Sequence, residues 1–348
     1  MRQTTTSPVR SARGIHAWTV ATLLCTFVLL WSGGIVTSKG VGMSVPDWPT
    51  TYGYNMFLFP LSGWVGGIFY EHSHRLIASG VGLMTMILAA WLLAVEKRRW
   101  VRNLGFAAFL MVCVQGLLGG LRVSLFKDEI GIFHGMLAQS FFCVVGILAI
   151  ATSAKFQRRG WDSFIPDTAL RNLVVATTAL VFVQLGIGAT MRHEHAGLAI
   201  PDFPPAYGKV LPDTSPKAIA AINERRIADD QAPTNATFIW VQMVHRFVAV
   251  AILALAAAVA WRALSNPIAR GAARWAVAWF AMVVAQVLLG AWTIWSNKAA
   301  DVATLHMALG ALTLLVGVVF SFRLWRANQS LRFAIPDFPA TPEPARTA

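Results

Sequence analysis

Charge is scarce in this chain, and so is cysteine. Asp, Glu, Lys and Arg make up 13% of the 348 residues against 56% hydrophobic ones, and the mean hydropathy is +0.57. That balance excludes an ordinary soluble domain, in which about a quarter of the residues are charged. The three cysteines, Cys25, Cys113 and Cys143, all fall inside apolar runs. Neither a disulfide framework nor a zinc site has the spacing it needs, so cysteine carries no functional argument. Acidic residues are short as well, 16 against 29 Lys and Arg, and the resulting net charge of +13 raises the question of a nucleic-acid partner.

What the chain has instead is apolar length. A hydrocarbon core of about 30 Å needs about 20 apolar residues of helix. Eight runs meet that need: 17–36, 76–95, 104–123, 130–154, 173–191, 238–261, 275–295 and 302–324. The first follows Arg2, Arg10 and Arg13 like a signal peptide, but it is long for an h-region and has no clear small-residue cleavage site, so it is read as a true span. Sorting charge by loop resolves the basic excess. The N-terminus, the connections 96–102, 155–171 and 262–274, and the tail, with Arg323 at the inner end of the last run, carry 18 Lys/Arg against 5 Asp/Glu, whereas the opposite side carries 11 of each. By the positive-inside rule both termini are cytoplasmic, and the excess serves membrane orientation rather than nucleic acid.

The chain also repeats itself. Residues 42–53, Gly-Met-Ser-Val-Pro-Asp-Trp-Pro-Thr-Thr-Tyr-Gly, match 197–208, Gly-Leu-Ala-Ile-Pro-Asp-Phe-Pro-Pro-Ala-Tyr-Gly. His74-Arg75 then matches His245-Arg246, Gln115 to Gly119 matches Gln286 to Gly290, and the segment around His134 matches that around His306. Four matches in the same order indicate a duplicated unit. The expected fold is therefore an all-α polytopic membrane protein whose eight transmembrane helices form two tandem four-helix bundles. An even number of spans per unit relates them by a pseudo-twofold along the membrane normal. The expected organisation is a cytoplasmic N-terminus (1–16), a first half (17–154), a cytoplasmic linker (155–172), a second half (173–324) and a disordered cytoplasmic tail (325–348). The two long outer loops, 37–70 and 192–237, share Pro-Asp-aromatic-Pro and read as ordered caps. A further Pro336-Asp337-Phe338-Pro339 lacks that context and is read as chance.

Ionisable residues in a membrane are costly and call for a function. His74, His134, His245 and His306 open the second and fourth helices of each half, on the outer side. Paired histidines on facing helices are candidate axial ligands of haem iron; a hydrogen-bonded helix contact is the plain alternative for any one of them. Arg75 and Arg246, each next to a histidine, suit a haem propionate or a lipid headgroup. Glu71 stands three residues before His74, and Gln242 holds the same offset to His245. An amide positions but cannot shuttle protons, so the first half reads as built for proton-coupled chemistry and the second for holding a haem that passes electrons. The alternative for Glu71 is a carboxylate at a helix N-terminus. His16, His72, His193 and His195 are expected at the surface or in loops, and Arg192-His193-Glu194-His195 is too weak a pattern for zinc.

Taken together, the eight helices, Glu71-X-X-His74-Arg75, and His134, His245 and His306 at helix starts resemble the haem A synthase family, from about residue 17 to 324. The resemblance implies oxidation of the C8 methyl of haem O to a formyl group, giving haem A for terminal oxidases. It implies a haem b on His245 and His306, the haem O substrate at His74 and His134, and a catalytic requirement for Glu71. Some members carry cysteines in the outer loops; this chain has none there, which places it with a cysteine-free subgroup. The basic, acid-free N-terminus is short for a mitochondrial transit peptide, so the expected setting is a bacterial inner membrane, and the resemblance implies a haem O synthase as neighbour. Two other readings remain: a quinol-linked di-haem b electron carrier, and a haem transporter or oxidase assembly factor without catalysis. The electron donor is not legible.

Overall fold

The structure, a computed structural model, describes residues 8–154, Phe156 and 167–332. Most of the expected linker and much of the tail, with the Pro336 to Pro339 echo, lie outside the described residues. Nine α-helices appear among the described residues: α1 (Pro8–Ser38), α2 (Gly66–Val95), α3 (Arg99–Ser124), α4 (Ile130–Thr152), α5 (Thr168–His193), α6 (Pro216–Ala228), α7 (Ala236–Ser265), α8 (Ala273–Trp295) and α9 (Ala300–Arg332). All but the short α6 belong to eight candidate spans long and apolar enough to cross a membrane. Backbone pairing outside helices amounts to turns and two isolated bridges, Thr51 with Tyr54 and Ala206 with Lys209.

A membrane helix must satisfy its polar side chains without water, and the hydroxyls here do so locally. Thr19, Thr26, Thr85 and Thr178 each donate to the carbonyl four residues earlier, at 2.7, 2.7, 2.8 and 2.7 Å. The helices also outrun their apolar runs. α2 begins at Gly66 rather than 76, which sets Tyr70 to Arg75 within its first turns rather than at its mouth. α9 continues past 324 to Arg332 rather than giving way to a disordered tail at 325. There Arg326 lies over the Phe156 ring at 5.5 Å, a contact that rewards continued helix.

Within the first half α1 packs on α2 and α4, and α3 on α2 and α4; within the second, α5 packs on α7 and α9, and α8 on α7 and α9. Each half has its own core, around Val81, Leu92, Ala108 and Leu148 in the first and Val174, Ala256, Trp279 and Phe320 in the second. The halves meet where α9 touches α1 and α4, and α4 touches α5, with Leu30, Phe142 and Ala311 at the seam. That arrangement leaves the histidine-bearing ends of the helices beneath the two long loops.

At the other end Asp167 caps α5. Its carboxylate accepts from the backbone N–H of Ala169 and Leu170, from Nε and Nη2 of Arg262 and from Asn266 Nδ2, all at 3.0–3.1 Å. Burial raises its pKa, but the hydrogen bonds from Arg262 and the capped backbone outweigh that and hold it below the ordinary carboxylate value. A depressed folded pKa adds stability above the unfolded value and loses it as pH falls through the folded one. Asp167→Ala should cost on the order of 2–4 kcal/mol by orphaning its donors, read as a lower melting temperature in detergent. The gap between wild type and Asp167→Asn should narrow below about pH 4.

Candidate haem-binding helix pairs

The two long loops fold alike because their repeated residues make the same bonds. Asp47 accepts from the N–H groups of Tyr52 and Gly53 at 2.8 and 2.9 Å, and Asp202 from those of Tyr207 and Gly208, both at 2.8 Å. Both tyrosines and both glycines have positive φ, 49° and 77° in the first loop and 54° and 75° in the second. The tyrosine hydroxyls turn back to donate to the carbonyls of Ser44 and Ala199. Trp48-Pro49 and Phe203-Pro204 are both cis. Burial tends to raise the Asp47 carboxyl, but its bonds from Gly53, Thr50 and Tyr52 prevail and hold it below its ordinary value.

Each loop is pinned to the helix that carries the histidine. Arg75 Nη1 donates to the carbonyls of Asp47 and Thr50, and Nη2 to Val45 O and to Glu71 Oε1, the last two both at 2.7 Å. Arg246 likewise donates from Nη1 to Pro204 O and Pro205 O and from Nη2 to Asp202 O. Val45 N–H donates to Glu71 Oε2 at 2.9 Å. In the second half Gln242 grips the equivalent residue at both ends: Ile200 N–H donates to its Oε1 at 2.7 Å and its Nε2 donates to Ile200 O at 3.1 Å. Glu71 and Gln242 are both buried, 3% and 2% exposed, so these are interior bonds. A carboxylate with an arginine, and an amide alone, thus make the same closure.

Beneath the loops the four histidines stand in two pairs. His74 and His134 are close enough to interact electrostatically, and so are His245 and His306. Every ring presents its Cε1 edge to a glycine on a neighbouring helix. A Cβ on Gly33, Gly119, Gly188 or Gly290 would lie 3.0, 3.4, 3.3 or 3.3 Å from the Cε1 of His74, His134, His245 or His306. One turn before three of those glycines stands a glutamine whose Nε2 donates to the histidine's own carbonyl: Gln115 to His134 at 3.1 Å, Gln184 to His245 at 2.9 Å and Gln286 to His306 at 2.9 Å. The fourth position is Leu29, so His74 lacks this brace. The Nδ1 of all four rings is buried without a hydrogen-bond partner.

A family model described as a cytochrome oxidase assembly protein (COX15-CtaA) matches residues 16–318. The chain belongs to this family. Among its relatives, a protein of Lysinibacillus sphaericus named haem A synthase is 26% identical over 88% of this chain and 93% of its own length. One of Sphingopyxis alaskensis with the same name is 25% identical over 89% and 92%, and one of Shouchella clausii is 28% identical over 60% and 68%.

The residues present fit the haem that the family implies. Four buried imidazoles stand in two pairs, each beside a glycine that keeps the wall low, and an Nδ1 without a partner, rare in a folded interior, recurs on all four rings, so no protein group claims them through that nitrogen. Other expectations fare differently. His72 is not at the surface: it is 1% exposed, its Nδ1 lies 3.1 Å from Thr51 Oγ1, and its ring packs on Phe59 and Trp64. The earlier start of α2 turns it inward. His16 bridges α1 to α4 through Thr152 Oγ1 at 3.3 Å, and His193 packs where a Cβ on Gly131 would fall, while His195 is exposed in a loop. Among the described residues no group of three His, Cys, Asp or Glu could hold a metal ion. Gln184, Gln115, Gln286 and Gly33 drew no role from the sequence; the signal was Gln-X-X-X-Gly, present in three of four helices.

Because Gln242 already performs the closure with an amide, Glu71→Gln should leave the first loop protected. Glu71→Ala orphans the Val45 N–H and should speed its hydrogen exchange roughly tenfold or more, measured by exchange in detergent.

Proposed function

We propose that the chain is a haem A synthase, an oxidoreductase that converts the C8 methyl of haem O to a formyl group. The observation that carries this is the exchange of a buried carboxylate for an amide at equivalent places in the two sites, Glu71 against Gln242, in a chain that matches two relatives of that name over nearly their whole length. His74 and His134 receive haem O, and His245 and His306 hold a resident haem b. That haem b would supply one-electron transfer between the substrate side and an external redox partner.

The protein's own residues set the rest. Turning a methyl into a formyl group takes up one oxygen atom and, with water as its source, releases four electrons to an external acceptor and four protons, so protons must leave a site sealed by the first loop. Glu71 is the buried carboxylate at that seal. Arg75 Nη2 donates to its Oε1 at 2.7 Å and the Val45 N–H to its Oε2 at 2.9 Å, and a carboxylate so placed is a group that can accept a proton, which Gln242 cannot do. The loop excludes water above the rings, and the glycines admit a flat macrocycle between helices. The equivalent contacts in both halves support the pseudo-twofold, and the charge sorting supports cytoplasmic termini in a bacterial inner membrane, with a haem O synthase as source of substrate.

The equal provision of four histidines also supports the di-haem carrier, which the same experiment separates. Membranes containing this chain and a source of haem O are extracted and their haems resolved by chromatography. Haem A should form with wild type and fall on the order of a hundredfold or more in Glu71→Gln, while bound haem b persists. Haem b with unaltered haem O from well-expressed wild type would leave the carrier.

A further inference from the structure

Haem carries two carboxylates, and the arginines beside the histidines are poorly placed to receive them. All four Nη protons of Arg75 go to Val45, Asp47, Thr50 and Glu71, and Arg246 gives three hydrogen bonds to the second loop. Other cations stand nearby. Arg122, near the end of α3, lies close enough to His74 and His134 for its charge to act on both. Its Nη1 is 2.8 Å from where a Cβ on Gly42 would be, and its Nε is buried without a partner although Nη2 binds Asp128 at 2.8 Å.

In the second half the residue aligned with Arg122 is Thr293, which offers no charge. Yet Gly197, the counterpart of Gly42, also has a cation against it: Lys298, whose Cδ is 3.5 Å from where a Cβ would be. Lys298 comes from the turn between α8 and α9, held at φ 59°. It lines a cavity of about 240 Å³ together with Asn297, Arg226 and His195. Burial, and then the charge of Arg192, push its pKa below the ordinary lysine value. Among the described residues no carboxylate pairs with Lys298 or Arg192. Two halves that place a cation at the same loop glycine from different sequence positions are under the same chemical demand, and an anionic group of a ligand held beneath each loop meets it.

We propose that Arg122 in the first half and Lys298 in the second seat the carboxylates of the bound haems, while Arg75 and Arg246 serve to pin the loops. This rests on the haem-binding reading above. The test titrates the purified full-length chain in detergent with protohaem and with its dimethyl ester, following the bis-histidine spectrum. Wild type should prefer the free acid roughly tenfold or more. Arg122→Gln with Lys298→Gln should bring the ratio toward one, whereas Arg122→Lys and Asp128→Asn should keep the preference. Because the ratio is internal to each variant, a general loss of affinity cancels. Equal binding of acid and ester by wild type, or a preference that vanishes in Arg75→Gln and Arg246→Gln but survives in the double variant, overturns the assignment and leaves haem binding standing. No bis-histidine spectrum with either compound overturns both.

Discussion

A backbone amide buried next to a membrane must find an acceptor, and the fold turns on how two such amides, Val45 and Ile200, find theirs. Each is met by a side chain from the first turns of the helix that also bears a histidine. The loop cannot lift without stranding buried groups, and the helix cannot rotate without losing the loop. Loop order, helix phase and histidine position are therefore one constraint. It explains why the histidine and arginine stay adjacent: the arginine completes the same closure from one turn further along.

Duplication makes the departures informative. Where the halves agree, in Asp47 and Asp202, in the four glycines opposite rings and in the braces of Gln115 and Gln286, the shared demand is to build a walled slot under a fixed lid. Where they differ, one half has a charge or a donor that the other replaces with something inert of similar reach. Glu71 against Gln242 is the plainest case; His72 against Met243, both buried, is another, and it gives the first half a polar contact to Thr51 that the second lacks. These differences cluster on the side proposed to handle substrate.

Much of this was legible in the sequence because composition and repetition are global signals. Eight apolar runs need no side-chain geometry to be counted, and the pairing of His74 with His134 and of His245 with His306 followed from helix order alone. The start of α2 was not legible, since Gly66 to Arg75 mixes glycine, aromatic and charged residues and helical bonding there depends on the loop packed over it; hence His72 was placed wrongly. The partners of Arg75 and Arg246 were equally hidden, because a guanidinium at a membrane edge looks the same whether it faces an anion or a backbone carbonyl. Lys298 escaped because its equivalence to Arg122 exists in space and not in register.

His74 is the one ring of the four that receives no glutamine brace from the neighbouring helix, Leu29 standing where Gln184 stands in the second half. Three of the four rings are thus tied through their own carbonyls to a neighbouring helix, and the fourth, in the pair proposed to receive substrate, is anchored by its own helix alone.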